Sequence, residues 1–174
     1  LIKKKRVKKV YYCFEDPDIR TYKKAKIVLN NRIKKIKKID DRNKDFYKNN
    51  FFNKKYKLPF IDAKIAISKD FSTISKKNKW ITNSRSRKVS HLIRSKYDCI
   101  ISTSASINKD NSLLNCRIEG LNNFKPDLVI IDRSLKLKRN LKLLNLSRKR
   151  KIYILTTSDD KNKISFFKKK KVRF

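Results

Sequence analysis

Apolar residues along this chain come in short runs separated by long polar stretches, and the spacing within each run predicts alternating strands and helices. Val10 to Phe14 is an extended apolar run. It ends at Glu15-Asp16-Pro17-Asp18, a turn, because proline presets its own backbone angle and aspartates bond their own backbone. A helix is predicted over Thr21 to Asn31, with Ala25, Val28 and Leu29 on one face. Arg32 to Ile39 returns as a short strand. Asp40 or Asp41 then caps a helix over Arg42 to Asn53, whose Phe46, Phe51 and Phe52 pack inward.

A second unit begins near Leu58-Pro59, which divides the chain into residues 1–56 and 57–174. Phe60 to Ser68 alternates as a strand, with Ile61, Ala63, Ile65 and Ile67 on one face. A polar loop leads to Trp80. Thr82 is the expected N-cap of a helix on which Val89, Leu92, Ile93 and Tyr97 turn inward. Three short apolar strands follow, Cys99 to Ile101, Leu128 to Ile131 and Ile152 to Leu155. Short apolar strands between helices and loops describe an α/β fold with a covered, largely parallel sheet.

Charge changes the picture less than its size suggests. The 174 residues hold 50 Lys+Arg against 15 Asp+Glu, a formal +35 that would attract any polyanion. The lysines, however, run along the whole length, strand-like segments included, and form no single stripe or tail of a nucleic-acid-binding motif. Excess Lys, Asn and Ile with only one Gly is the joint skew that AT-rich coding produces. The charge is therefore read as solvated background, with no specific nucleic-acid partner.

Cys13, Cys99 and Cys116 have no metal-type spacing and accompany a single histidine, so they are expected as reduced thiols in or near the core of a cytoplasmic protein. No apolar run approaches the ~18 residues that span a membrane. With no Met at its start, the chain reads as the interior of a longer protein.

The pieces that carry chemistry are PFIDAKIAISKD, WIT, SRKVSHLIRSKYDCII, STSASINKDNSLLNCR and PDLVIID. In this order and spacing, Pro59 to Thr157 resembles the reductase domain of the bifunctional riboflavin-biosynthesis deaminase/reductase, with its dihydrofolate-reductase-like mixed sheet and flanking helices. VKKVYYCFEDPDIRTYKKAKIVL resembles the last strand and helix of that protein's cytidine-deaminase-like domain. The deaminase zinc signature is absent, so deamination is not expected of this chain.

The resemblance implies NADPH as cofactor and 5-amino-6-(5-phosphoribosylamino)uracil as substrate, the hydride going to its open-chain ribose. It implies cofactor roles for Ile67, Trp80, Ser106 and Asp110, and substrate roles for Asn78, Arg94, Leu114 and Arg117. Each has a plainer alternative. Ile67 also suits a core position, Trp80 a cover for the core, and Asp110 a turn cap with Asn111 and Ser112. Arg94 and Arg117 suit a phosphate because a guanidinium meets phosphate oxygens in pairs. Lys64 is the candidate proton donor or polarising group, since a lysine on a buried strand is costly unless paired. His91, between Val89 and Leu92, is placed too far from the loops to serve as an acid.

Departures from the family pattern are specific. Phe71 stands where the family has glycine, Asn78 where it has serine, and the family's glycine-rich cofactor turn has no match in the last residues. The family is commonly dimeric or larger, so a homo-oligomer is a further implication. Three readings stay open: a truncated reductase, a folded but non-catalytic remnant, and a basic nucleic-acid-binding protein.

Overall fold

Val10, Tyr11 and Tyr12 pair in parallel with Ile33, Lys34 and Lys35, forming strands β1 (Val10–Tyr12) and β2 (Ile33–Lys35). Two parallel strands need a crossover, and α1 (Lys24–Leu29), continued by one tighter turn at Asn30–Arg32, supplies it. The computed structural model describes residues 5–15, 18, 20–21, 24–36, 41–73 and 80–174, which fall into two units, Leu1–Ala63 and Lys64–Phe174.

In the first unit α1 is shorter than its predicted span, and only Leu29 of its expected inward face is buried, Val28 being exposed. Asp16, Pro17 and Asp40 lie outside the described residues, as does the Phe46 side chain. Helix α2 (Asp41–Tyr56) runs past its predicted end. Its aromatic side does the packing: Phe51 meets Phe14 at 5.8 Å and Phe52 meets Phe60 at 5.7 Å, both edge-on. Asp18 ties the turn to α2 by accepting from Arg20 and from Lys54 at 2.7 Å, and these two cations hold its carboxyl well below the usual range.

The second unit carries a four-stranded, wholly parallel sheet in the order β3 (Cys99–Thr103), β4 (Asp127–Ile131), β5 (Ile152–Leu155), β6 (Val172–Arg173). Register explains the core. Leu128 sits opposite Ile152 and Ile130 opposite Ile154, so alternate residues share one face, with Ile152 also beside Val172. Ile107 of α4 (Ser104–Asp110), Phe167 of α5 (Lys161–Lys169) and the leucines at 135, 137, 141, 143 and 144 cover that face. Each large apolar side chain so buried contributes about 1.5–3 kcal/mol. The other face, with Ile101, Ile131 and Leu155, is exposed.

Several expectations are corrected here. Phe60 to Ser68 is not a strand: no described residue pairs with it, and Ile61, Ile65 and Ile67 are exposed. Alternation marks a strand only where a neighbour supplies ladder bonds and a face to bury against. Strand β3 is an edge strand rather than a buried one, which leaves Cys99 exposed while Cys116 is buried. The last residues, given no element by the sequence pattern, form α5 and β6. Asp160 caps α5 by accepting from the Lys163 amide at 2.9 Å.

Candidate functional site

Helix α3 (Ser84–Arg94) starts at Asn83, whose side chain accepts from the Ser86 amide at 2.8 Å. The predicted cap, Thr82, instead gives its carbonyl to Arg87 Nη1 at 2.6 Å. The Arg87 guanidinium also lies 4.7 Å over the ring of Trp80, a cation–π contact on a half-exposed indole. Arg87, His91 and Arg94 follow at helical spacing, so one stripe of α3 runs from Arg87, beside Trp80, to the helix end, roughly 10 Å at 1.5 Å per residue. Val89 and Leu92, expected to turn inward, are exposed, because no described residue covers that side.

At the end of the stripe three cationic or titratable side chains converge. His91 Nδ1 is 3.0 Å from the Asn115 carbonyl oxygen, and Arg94 Nη1 lies 3.2 Å from the same ring nitrogen and 3.4 Å from the same carbonyl. Arg117 Nη2 reaches His91 Nε2 at 3.3 Å. His91 is thus in the loop's midst, not remote from it, because the chain after α4 folds back over the C-terminal half of α3. Among the described residues no carboxylate lies within ion-pair distance of Arg94 or Arg117. Burial and the neighbouring Arg117 push the Arg94 guanidinium down, and burial and Arg94 push the His91 imidazole down. The cluster is positive, partly dry and uncompensated.

The loop carrying Leu114 and Arg117 is held by a residue that sequence reasoning did not single out. Arg150 is buried and donates to the Leu113 and Leu114 carbonyls at 2.5 and 2.8 Å and to the Pro126 carbonyl at 3.4 Å. Burial pushes its guanidinium down to about 10, so it keeps its charge at neutral pH. Leu114 itself adopts a left-handed backbone (φ 48°) that turns its carbonyl toward Arg150, and its side chain packs against the core. Asn115 Oδ1 is buried and has no hydrogen-bond partner among the described residues, an acceptor left for a donor. Nothing in the run RKRK separates Arg150 from its exposed neighbours; the His91 position, three residues before Arg94, was readable from helical spacing.

Helix α4 presents the other expected residues. Thr103 caps it, its hydroxyl accepting from the Ser106 amide at 3.3 Å. Ser106 and Asp110 are four residues apart on one exposed face. Beneath them Ser104 donates to buried Asp132 at 2.7 Å, and Asp132 also accepts from the Lys136 and Leu137 amides. Asp132 is the acidic end of the PDLVIID motif, a signal present in the sequence.

The structure therefore brings Arg94, Leu114 and Arg117 together about one loop, and Ser106 with Asp110 on one helix face. Lys64 and Ile67 are exposed on the unpaired segment, so the buried-strand argument for Lys64 does not hold. Ile67 is likewise no core residue. Asn78 lies outside the described residues. Phe71, at the glycine position, closes a tight turn in the left-handed region (φ 60°), its amide donating to the Ser68 carbonyl at 3.0 Å.

Comparison with known proteins agrees with this fold. The fold matches RibD of Acinetobacter baumannii, TM-score 0.79 at 22% identity over 98% of this chain and 48% of that one. It also matches a diaminohydroxyphosphoribosylaminopyrimidine deaminase/5-amino-6-(5-phosphoribosylamino)uracil reductase of Thermotoga maritima, TM-score 0.76 at 23% identity over 91% of this chain and 45% of that one. The riboflavin biosynthesis protein RibD of Actinobacillus pleuropneumoniae is 29% identical over 114 residues, 64% of this chain and 30% of that protein. The chain thus spans under a third of that relative and about half of each solved structure. A family model for the RibD C-terminal domain matches residues 59–173, from the proline before the unpaired segment to the last strand of the sheet. Most of this chain therefore belongs to the RibD C-terminal domain family.

Proposed function

We propose that this chain carries the reductase step of riboflavin biosynthesis, reduction of 5-amino-6-(5-phosphoribosylamino)uracil to the ribitylamino compound with NADPH. The observation that carries the reading is the convergence of Arg94 and Arg117 on one loop with no carboxylate among the described residues in ion-pair distance. Two guanidiniums left uncompensated in a partly buried cluster suit a dianionic phosphate, which meets their paired donors. Surrounding lysines, dispersed and solvated, do not offer that geometry.

Residues present also fit a nicotinamide nucleotide. Trp80 offers a half-exposed ring face, Ser106 a hydroxyl and Asp110 a carboxylate suited to ribose or amide donors. NADPH supplies the hydride; the protein binds, orients and excludes water. Arg94 and Arg117 fix the phosphate end of the substrate. Arg87 of α3 stacks on Trp80 while Arg94 ends the same helix, which ties cofactor wall to phosphate anchor and keeps the ribose between them in a reactive orientation. Free thiols at Cys13, Cys99 and Cys116 suit a cytoplasmic setting.

Exposure of Lys64 and Ile67 favours a second reading, a chain that binds the phosphoribosyl ligand without turning it over. Following NADPH consumption after mixing the full chain with cofactor and substrate separates the two. Consumption that disappears in Arg94→Ala and Arg117→Ala supports the reductase. Substrate binding without consumption supports the second reading, and binding of neither ligand overturns both.

A further inference from the structure

We propose that His91 is the positioning residue of the phosphate site, anchored through Nδ1–H on the Asn115 carbonyl and holding the Arg117 guanidinium through the lone pair of Nε2. The inference rests on the phosphate reading of Arg94 and Arg117 given above.

The argument is one of donors and acceptors. A carbonyl oxygen only accepts, so the 3.0 Å approach of Asn115 O to Nδ1 requires the proton on Nδ1. A guanidinium only donates, so Arg117 Nη2 at 3.3 Å from Nε2 requires a lone pair there. One state of the ring satisfies both, the neutral Nδ1–H tautomer. The opposite tautomer accepts from Arg94 at Nδ1, but it sets lone pair against lone pair at Asn115 and N–H against N–H at Arg117, losing two contacts for one. The imidazolium keeps the Asn115 bond, loses Arg117, and adds a third positive charge to the cluster. In the Nδ1–H tautomer Arg94 Nη1, 3.2 Å from Nδ1, does not bond the ring and donates instead to the shared Asn115 carbonyl at 3.4 Å.

The charged and titratable groups around the ring agree. Arg94 faces it from α3 and Arg117 from the loop, Cys116 is buried beside Arg94, and Arg150, in the turn before β5, feels the Arg94 charge in turn. Burial and the two nearest arginines push the imidazole down, which keeps it neutral at neutral pH. An exposed arginine otherwise loses considerable rotamer freedom on gripping an anion. Holding Arg117 beforehand removes part of that loss and leaves its other N–H groups free to donate to the phosphate.

His91 is the single histidine of the chain, so its imidazole resonances need no assignment. Nitrogen NMR of the full chain at neutral pH should show the Nδ1–H tautomer, and Arg117→Ala should move the Nε2 resonance. Titrated with inorganic phosphate, His91→Leu should bind about tenfold more weakly. His91→Gln, whose side-chain oxygen accepts, should recover most of the loss. In the Arg117→Ala background His91→Leu should cost nothing further, a coupling that mere packing would not produce. An Nε2–H tautomer, an imidazolium, or equal losses with and without Arg117 would overturn the role of His91 while leaving the phosphate site standing. Phosphate affinity indifferent to both Arg94→Ala and Arg117→Ala would instead overturn the phosphate reading.

Discussion

Ser104 donates to the buried carboxylate of Asp132 at 2.7 Å, joining the first turn of α4 to the residue that follows β4. The same carboxylate accepts from the Lys136 and Leu137 amides at 2.9 and 2.8 Å, so one side chain fixes both the helix that presents Ser106 and Asp110 and the loop beneath it. Asp132→Ala leaves a hydroxyl and two amides without their acceptor. Unfolding in denaturant should show a loss of roughly 3 kcal/mol. A loss under about 0.5 kcal/mol, the scale of an ordinary surface change, would contradict the account.

Phe71 holds a left-handed backbone that glycine adopts without steric cost, and the residue is 81% exposed, so little packing offsets the strain. Phe71→Gly should therefore stabilise the second unit by about 0.5–1 kcal/mol despite glycine's greater freedom when unfolded. A higher denaturation midpoint at unchanged slope is the expected result; a lower midpoint would show the ring to be packed.

The pH response follows from His91. Its folded pKa lies below the ordinary 6.5, so the folded chain binds fewer protons than the unfolded one. The stability it contributes is present above the unfolded value and is lost as pH falls through 6.5 toward the folded value. Melting temperature should drop over that window in the wild type and stay flatter in His91→Gln. Added phosphate, by offsetting the charge of Arg94 and Arg117, should bring the folded value back toward 6.5 and so shrink the wild-type drop, and identical curves for the two proteins would contradict the placement of His91.

Trp80 is the single tryptophan, so its fluorescence reports on its own ring. NADPH should quench it saturably. Arg87→Ala, which removes the guanidinium stacked at 4.7 Å, should change the affinity, whereas a linear and unsaturable response would remove Trp80 from the cofactor wall.

The strands with the densest apolar runs were legible in the sequence. Leu128 to Ile131 and Ile152 to Leu155 bury alternate residues against each other, and pattern alone implies that. Phe60 to Ser68 misled because alternation measures amphipathic character and says nothing of whether a partner strand is at hand. Helix α5 was hidden by lysines: its core contact comes down to Phe167, fully buried, and partly buried Ile164 and Phe166 in a run that is otherwise polar. The meeting of Arg94 and Arg117 is in keeping with their motif positions, whereas the place of His91 beside the loop is not, because distance along a helix is not distance from a loop that folds back over it. Arg150 was not legible at all, since its role depends on the Leu113, Leu114 and Pro126 carbonyls that only the folded chain brings together.

The central claim is that Arg94 and Arg117 form a phosphate site distinct from the general positive charge of the chain. Calorimetric titration with ribose 5-phosphate tests it most directly, with ribose as the unphosphorylated control and Lys34→Ala, an exposed lysine of β2, as the charge control. The account predicts saturable binding of the phosphate sugar and none of ribose, about tenfold weakening in Arg94→Ala and in Arg117→Ala, and no change in Lys34→Ala. Equal weakening in all three variants, rising steeply with salt, would contradict it and leave a diffuse polycation in its place.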